Sequence, residues 1–427
     1  METARQVAAK ALLRVDRGEY SQLTLDAALK QARLSARDTA FTSALFYGTL
    51  ERRLTLDHCI AKYARHPLSD TVAAILRLAF YQLIYMDSVP NHAAVDEAVN
   101  MAKTMGQRAA SGMVNGILRS FLRDGCAIPP VAGGLAAKLA IEYSCGEDLT
   151  ALFLNWYGED KPRALLSHSM GRPPLYIRVN TLKTDAETLQ AHLLKHDCHA
   201  VARLLDGNCI EIEGDAVHTV SHKLGFFHVQ DVCSQQAALT LEAQPGERIL
   251  DVCAAPGSKS FVLAQQMQNR GEILSCDIAP ARLELIKQGA KRLGAGIITT
   301  RPNDGAEIND ALGRFDRILC DVPCSGLGVL RRKPEIKYRG TGSLMVLPEL
   351  QYKILKTSAH YLTTGGFLVY STCTLNPDEN EWVVEAFLRE HPDFSPAPFD
   401  GDGWYKTFLP QPRGGDGFFI SRIRRNR

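Results

Sequence analysis

Two short segments of the 427-residue chain set a cysteine among residues that would make it reactive. Residues 321–328 read D-V-P-C-S-G-L-G, and residues 371–380 read S-T-C-T-L-N-P-D-E-N. Each closes a short apolar, β-rich run, Arg317–Asp321 and Phe367–Thr372, so Cys324 and Cys373 are predicted at neighbouring strand ends facing one cleft. Most intracellular cysteines are inert buried hydrophobes. A pair at adjacent strand ends, each beside an aspartate or a helix start and with basic residues such as Lys259 nearby, argues for a thiolate instead. Methylation of a pyrimidine at C5 is a reaction that uses such a thiolate. Pyrimidine C5 is a poor nucleophile, so methylating it requires prior addition at C6, which makes C5 enamine-like; a cysteine thiolate suits that addition best. Asp321 is placed to polarise the exocyclic amine and N3 of cytosine. After transfer the C5 proton must leave so that the thiol can eliminate, a step a second cysteine can assist. Residue types alone leave open which cysteine attacks.

A cofactor cradle stands upstream. Arg248–Cys253 is an apolar, β-branched run suited to a buried parallel strand. Ala254–Ser258 supplies small residues, Pro256 and Gly257 for a tight turn. A helix is predicted from Lys259 onward. Strand, glycine turn and helix N-terminus form the usual nucleotide-cofactor arrangement of a doubly wound sheet. A Walker phosphate loop fits poorly, because Ser258 separates Gly257 from Lys259 and position 252 is Val. Asp277, 20 residues beyond Gly257, ends the next predicted strand, where an acidic side chain accepts from ribose hydroxyls. That spacing also occurs in nicotinamide enzymes, although the G-x-G-x-x-G turn is absent. Asp304, after a third strand, is a candidate partner for an adenine amino group, with an exposed turn aspartate as the equal alternative.

The elements that must position these residues read in three parts. Residues 1–126 are predicted all-helical. Val72, Ile75, Leu76, Ala79 and Leu83 keep one-face spacing, with Asp70 placed to cap the helix. Val95, Ala98, Val99 and Ala102 repeat the stripe, as do Met113, Val114, Ile117, Leu118 and Phe121. Arg5, Arg14, Arg17, Arg52, Arg53 and Arg119 lie off those stripes, on faces that suit either solvent or a phosphate backbone. Residues 135–225 are expected to form a small α+β domain after the Ala127–Gly134 break. Arg178 and Asn180 alternate with apolar neighbours along its first strand, pointing either to a site or to solvent. From residue 226 to 427, strands alternate with helices: Glu272–Asp277, Gly296–Thr300, Arg317–Asp321, Phe367–Thr372 and Gly417–Ile423 follow the opening strand. The alternation predicts an α/β domain with a mainly parallel sheet, whose ligands sit at the strands' carboxyl ends.

Composition sets the bounds. The chain is 45% hydrophobic and 22% charged, with a net charge of +2, the profile of an ordinary globular protein. No apolar run approaches the roughly 18 residues of a membrane helix. The N-terminus does not read as a signal peptide. Eleven cysteines without paired spacing and no C-x-x-C argue for a reducing cytoplasm, against a disulfide framework and against a zinc site. Residues 1–130 carry 16 Lys+Arg against 12 Asp+Glu, a bias compatible with RNA.

Two resemblances then appear. R-D-T-A-F-T-S-A-L-F-Y-G-T-L (37–50), V-P-N-H-A-A-V-D-E-A-V-N (89–100) and V-N-G-I-L-R (114–119) resemble a NusB-type RNA-binding domain. D-V-C-A-A-P-G-S-K, C-D-V-P-C-S-G-L-G-V-L-R-R-K-P-E and Y-S-T-C-T-L-N-P-D-E-N-E resemble, in order and spacing, the RNA 5-methylcytosine methyltransferases. The resemblance implies a Rossmann-like domain dependent on S-adenosyl-L-methionine. It implies that Cys253, Ala254, Ala255, Pro256, Gly257, Ser258, Lys259, Asp277, Asp304 and Asp321 contact the cofactor or its surroundings. It also implies that Cys373 is the nucleophile and Cys324 promotes release, whereas cytosine enzymes acting on DNA attack with the Pro-Cys thiol, here Cys324. With the NusB-like front end, the implied partner is 16S ribosomal RNA, with no metal, no membrane and a monomeric state. Another RNA such as tRNA, or a non-catalytic RNA-binding factor, is the alternative. Ser258, where the family usually has Gly, is the one small departure.

Overall fold

A computed structural model describes residues 2–427, the side chain of Ser343 excepted. The chain divides into two compact units: residues up to 172 with 330–341, and residues 173–329 with 342–427. No helix among the described residues is long and apolar enough to cross a membrane.

The first unit is helical. Seven of its helices, Ala4–Asp16, Ser21–Ala32, Ala36–Glu51, Arg53–Ala61, Asp70–Tyr85, Asn91–Thr104 and Ser111–Arg123, enclose one apolar core. The predicted stripes are the buried faces except at Met113: Ile75, Leu76, Ala98, Val114 and Leu118 are all within the core, whereas Met113, in the first turn of its helix, is 40% exposed. Phe80 stacks on Phe121 with centroids 4.2 Å apart, a contact whose loss to alanine would cost about 3–5 kcal/mol. Ser69, not Asp70, caps the fifth helix, its hydroxyl accepting from the Val72 amide. Asp70 is the first helical residue, where its charge favours the dipole instead. Among the basic residues, Arg14 pairs with Glu19 and Arg53 with Asp16, while Arg5 donates to Gln82.

Helices Leu135–Glu142, Glu147–Tyr157 and Asp160–His168 group with this unit rather than with the small α+β piece in which the sequence reading set them. Their attachment is non-local: the Ser144 hydroxyl accepts from the Leu54 amide at 2.8 Å, and Thr55 donates to the Ile141 carbonyl at 2.5 Å. Residues 330–341 also belong here. The Tyr338 hydroxyl donates to the carbonyls of Leu50 and Glu51, and the Lys337 ammonium to those of Glu51 and Tyr143. Together they satisfy the last carbonyls of the Ala36–Glu51 helix. Lys337 is fully buried, and burial lowers its pKa to about 8.

The second unit holds two sheets. In the first, β1 (Leu175–Val179) lies between β3 (Cys209–Glu213) and β4 (Phe227–Val229), with β2 (His199–Leu204) outermost, all antiparallel. Ile177, Val179, Leu189, Leu193 and Phe227 form its core. Arg178 and Asn180 face neither solvent nor a cleft. Arg178 is buried in a bidentate pair with Asp206 at 2.6 and 2.7 Å, and Asn180 donates to the carbonyls of Gly225 and Leu293. Both are explained by burial: a polar side chain taken from water must find such partners.

The larger sheet contains β5 (Arg248–Asp251), β6 (Glu272–Asp277), β7 (Ile298–Pro302), β8 (Phe315–Asp321), β9 (Leu362–Thr372), β10 (Phe394–Pro396), β11 (Tyr405–Phe408) and β12 (Phe418–Arg425). Their order is β10-β12-β9-β8-β5-β6-β7, with β11 beside β12. Strands β5 to β9 pair in parallel, and β12 runs antiparallel to β9. Both faces are covered, so the strands are apolar on both sides: Ile249, Ile273 and Leu319 join one core and Leu250, Leu274 and Ile318 the other. Strand order reverses between β5 and β8, which opens a crevice at their carboxyl ends.

Candidate active site

The turn after β5 is shaped for close approach. Gly257 has φ +104°, and a Cβ there would sit 2.8 Å from the Phe261 ring, so only glycine is accommodated. The helix Ser258–Gln266 starts at once, leaving its first amides directed at the crevice. Asp251, at the end of β5, is buried; its Oδ2 accepts from Ser260, while Oδ1 has no protein partner among the described residues. Burial pushes its carboxyl up to about 7 against the opposing pull of Ser260. Asp277 ends β6 with its carboxylate 3% exposed, accepting from the Ala279 amide at 3.0 Å and paired with Arg282 at 3.2 Å. Arg282 also donates to the Ala255 carbonyl at 2.9 Å and so ties the β5 turn to the β6 end. A glycine cradle, a helix N-terminus and a strand-end carboxylate are the donor and acceptor set that a nucleoside-bearing cofactor needs. Asp304 is exposed on the loop after β7, its Oδ1 accepting from the Ala306 amide.

The reacting end lies at β8 and β9. Lys259 is buried, and its ammonium stands 2.6 Å from Asp321 Oδ2, while Ser371 donates to Oδ1 at 2.7 Å. Burial alone would lower the Lys259 pKa, but Asp321 outweighs it and holds the ammonium above the ordinary lysine range. The sulfurs of Cys324 and Cys373 are 3.3 Å apart. Their surroundings differ in sign. The hydrogen bond to Cys373, burial and the negative charge of Glu379 push the Cys324 thiol well above its usual range. Cys373 interacts electrostatically with Lys259 instead. Of the two, Cys324 is the one whose surroundings favour the neutral thiol.

Both cysteine turns are fixed from behind. Asn380 accepts from the Thr372 hydroxyl at 2.5 Å and donates to the Thr374 carbonyl at 3.1 Å, gripping the chain on either side of Cys373. The Gly328 amide donates to the Cys373 carbonyl at 2.9 Å. A Cβ at Gly328 would lie 1.9 Å from the Gly417 carbonyl oxygen, so β12's approach requires glycine there.

The structure thus brings Lys259, Asp321, Cys324 and Cys373 together and sets Cys253–Ser258 and Asp277 along the same crevice. Arg282, Ser371 and Glu379 escaped the sequence reading. Only Arg282 had a local signal, a basic residue one helical turn past Asp277. Among the described residues, no group of three His, Cys, Asp or Glu side chains is disposed to hold a metal.

Comparison with known proteins adds an independent line. The family described as 16S rRNA methyltransferase RsmB/F matches residues 238–424, and the NusB family matches residues 2–123. A probable ribosomal RNA small subunit methyltransferase B of Bacillus subtilis is 34% identical over 442 residues, covering 99% of each chain. A protein of the same description from Synechocystis is 34% identical over 448 residues, covering 100% of each. The solved structure of PH0851 superposes with a TM-score of 0.85 over 100% of this chain and 99% of its own, at 22% identity, a likeness of fold.

Proposed function

Because the chain belongs to the ribosomal RNA small subunit methyltransferase B family, we propose that it methylates C5 of a cytosine in 16S ribosomal RNA through a covalent Cys373–C6 adduct. The observation that carries this reading is the cysteine pair: two sulfurs 3.3 Å apart at neighbouring strand ends, with the Lys259–Asp321 pair at the end of the same β8 strand.

Residues 253–259, with Asp277 and with Asp304 and Asp321 nearby, would hold S-adenosyl-L-methionine, which supplies the methyl group when bound. The Cys373 thiolate adds to C6, and the C5–C6 π electrons shift toward C5 and N3. Asp321 accepts from the exocyclic amine, while the Lys259 ammonium offsets the negative charge that builds up during addition. Once C5 is methylated, its proton passes to water, the C5–C6 double bond re-forms, and the C6–S electron pair returns to Cys373. The Cys324 S–H hydrogen-bonds that departing sulfur. A neutral thiol suits this step better than a thiolate, which would repel the leaving group. Residues 1–126, within the helical unit, are assigned the RNA-holding role, and residues 226–427 the catalytic one.

The test separates the cysteines. Cys373→Ala should abolish methylation and form no adduct. Cys324→Ala should complete addition and methyl transfer, then stall as protein covalently joined to methylated RNA, a nuclease-sensitive shifted band on a denaturing gel. Adduct with Cys373→Ala but not with Cys324→Ala would reverse the roles, and full activity of both would refute the scheme. Mapping the methylated base on 16S rRNA and on tRNA decides between those substrates.

A further inference from the structure

Behind the cysteine pair sits a buried carboxylate to which the mechanism gives no task. Glu379 closes the short turn Pro377–Glu379 after β9 and has no exposed surface. Its Oε2 accepts from the Ser325 amide and from Gln351 Nε2, each at 2.9 Å. Its Oε1 accepts from the Ser325 hydroxyl at 2.5 Å and from Asn376 Nδ2 at 3.0 Å. All four donors are neutral. A buried carboxylate is costly unless hydrogen bonds compensate, so four donors converging on one group mark a charge the fold is built to keep.

What those donors belong to is informative. Ser325 follows Cys324 directly, and Gln351, from the helix Leu347–His360, also donates to the Pro323 carbonyl at 2.9 Å. The chain is thus gripped immediately before and immediately after Cys324. The Ser325 hydroxyl also lies 2.7 Å from that of Thr374, the residue after Cys373. One carboxylate therefore sets the spacing between the two cysteine turns. A displacement of about 1 Å at such a site can cost on the order of 10²-fold in rate.

We propose that Glu379 is a positioning residue for the release step: it fixes the turn of Cys324 so that its S–H faces the departing Cys373 sulfur. The proposal rests on the reading in which Cys373 attacks and Cys324 serves release. Glu379→Gln keeps the shape of the side chain but turns an acceptor into a donor, which opposes the Ser325 amide and Gln351 in one orientation and Asn376 Nδ2 in the other.

The experiment follows Glu379→Gln, Ser325→Ala and Cys324→Ala together, with S-adenosyl-L-methionine and 16S rRNA as probes. For Glu379→Gln, turnover should fall roughly 10–100-fold while cofactor affinity by calorimetry changes less than about twofold, and the covalent RNA adduct should accumulate as it does with Cys324→Ala. Adding Cys324→Ala to Glu379→Gln should raise the adduct no further. Ser325→Ala, which spares the backbone bond, should give a milder version of the same phenotype and serves if Glu379→Gln does not fold. Lost turnover without adduct in either variant, where Cys324→Ala does accumulate it, overturns the role of Glu379 alone. Undiminished turnover of Glu379→Gln does the same. Absence of adduct in Cys324→Ala overturns the underlying reading and the proposal with it.

Discussion

Lys259→Met is the sharpest probe of the reacting end, because two consequences of different kind follow from one distance. At 2.6 Å, and with an effective dielectric constant near 20, the attraction between the Lys259 ammonium and the Asp321 carboxylate is about 6 kcal/mol. The variant also relieves the desolvation of a buried ammonium, which offsets part of that attraction. Removing one partner of a fully buried pair costs about 3–5 kcal/mol. The Asp321 side chain keeps 27% of its exposure, so water recovers some of this. A loss of about 2–3 kcal/mol in urea unfolding is therefore expected. The second consequence concerns chemistry. Lys259 also interacts electrostatically with Cys373, and a neighbouring cation favours the charged form of a thiol. Without Lys259, the acid limb of the pH–rate profile, where the Cys373 thiolate forms, should move to higher pH. Wild-type stability with an unmoved acid limb would refute the reasoning on both counts. A stability loss with an unmoved limb would show that the ammonium serves Asp321 and not the thiolate.

Two further outcomes follow from the cofactor crevice and its support. Asp277→Asn keeps an acceptor for the Ala279 amide but removes the charge at the end of β6, so S-adenosyl-L-methionine affinity by calorimetry should fall by about 1–3 kcal/mol; unchanged affinity would remove Asp277 from the site. His228 is buried edge-on to the Phe261 ring beneath the glycine turn, and burial lowers its imidazole from 6.5 to about 4. The unfolded chain takes up that proton near pH 6.5 and the folded chain only near pH 4. This contribution is therefore fully present above about pH 6.5 and is lost as pH falls through that window, by about 3 kcal/mol. Between pH 7 and 4 the urea-unfolding stability of the wild type should fall by about 3 kcal/mol relative to that of His228→Phe, which shares every other titrating group, and parallel curves would contradict it.

What was legible in the sequence was whatever depends on neighbours a few residues away. The β5 strand, its glycine turn and the helix behind it are local signals, and so are the strand ends carrying Asp277, Asp321, Cys324 and Cys373. Parallel strands bring their carboxyl ends to one edge, so strand-end residues from four separate motifs share a crevice without any long-range signal being read. Charged residues buried through distant partners were not legible. Nothing in the sequence marked Lys337 as buried, yet it has no exposed surface and finds its acceptors at Glu51, Tyr143 and Met170. Arg178 read as a site or surface residue for the same reason; its partner, Asp206, lies 28 positions on. Glu379, within the acidic run D-E-N-E, looks like a helix-start residue of a kind that usually faces water. Amphipathic periodicity assigns lysine, arginine and glutamate to solvent by default, and a carboxylate that leaves water is held by donors from several elements at once. Such residues become visible only when the fold closes over them. That is why the groups proposed to react were readable from their types and spacing, while the one proposed to set the distance between them had to be found in the hydrogen bonds.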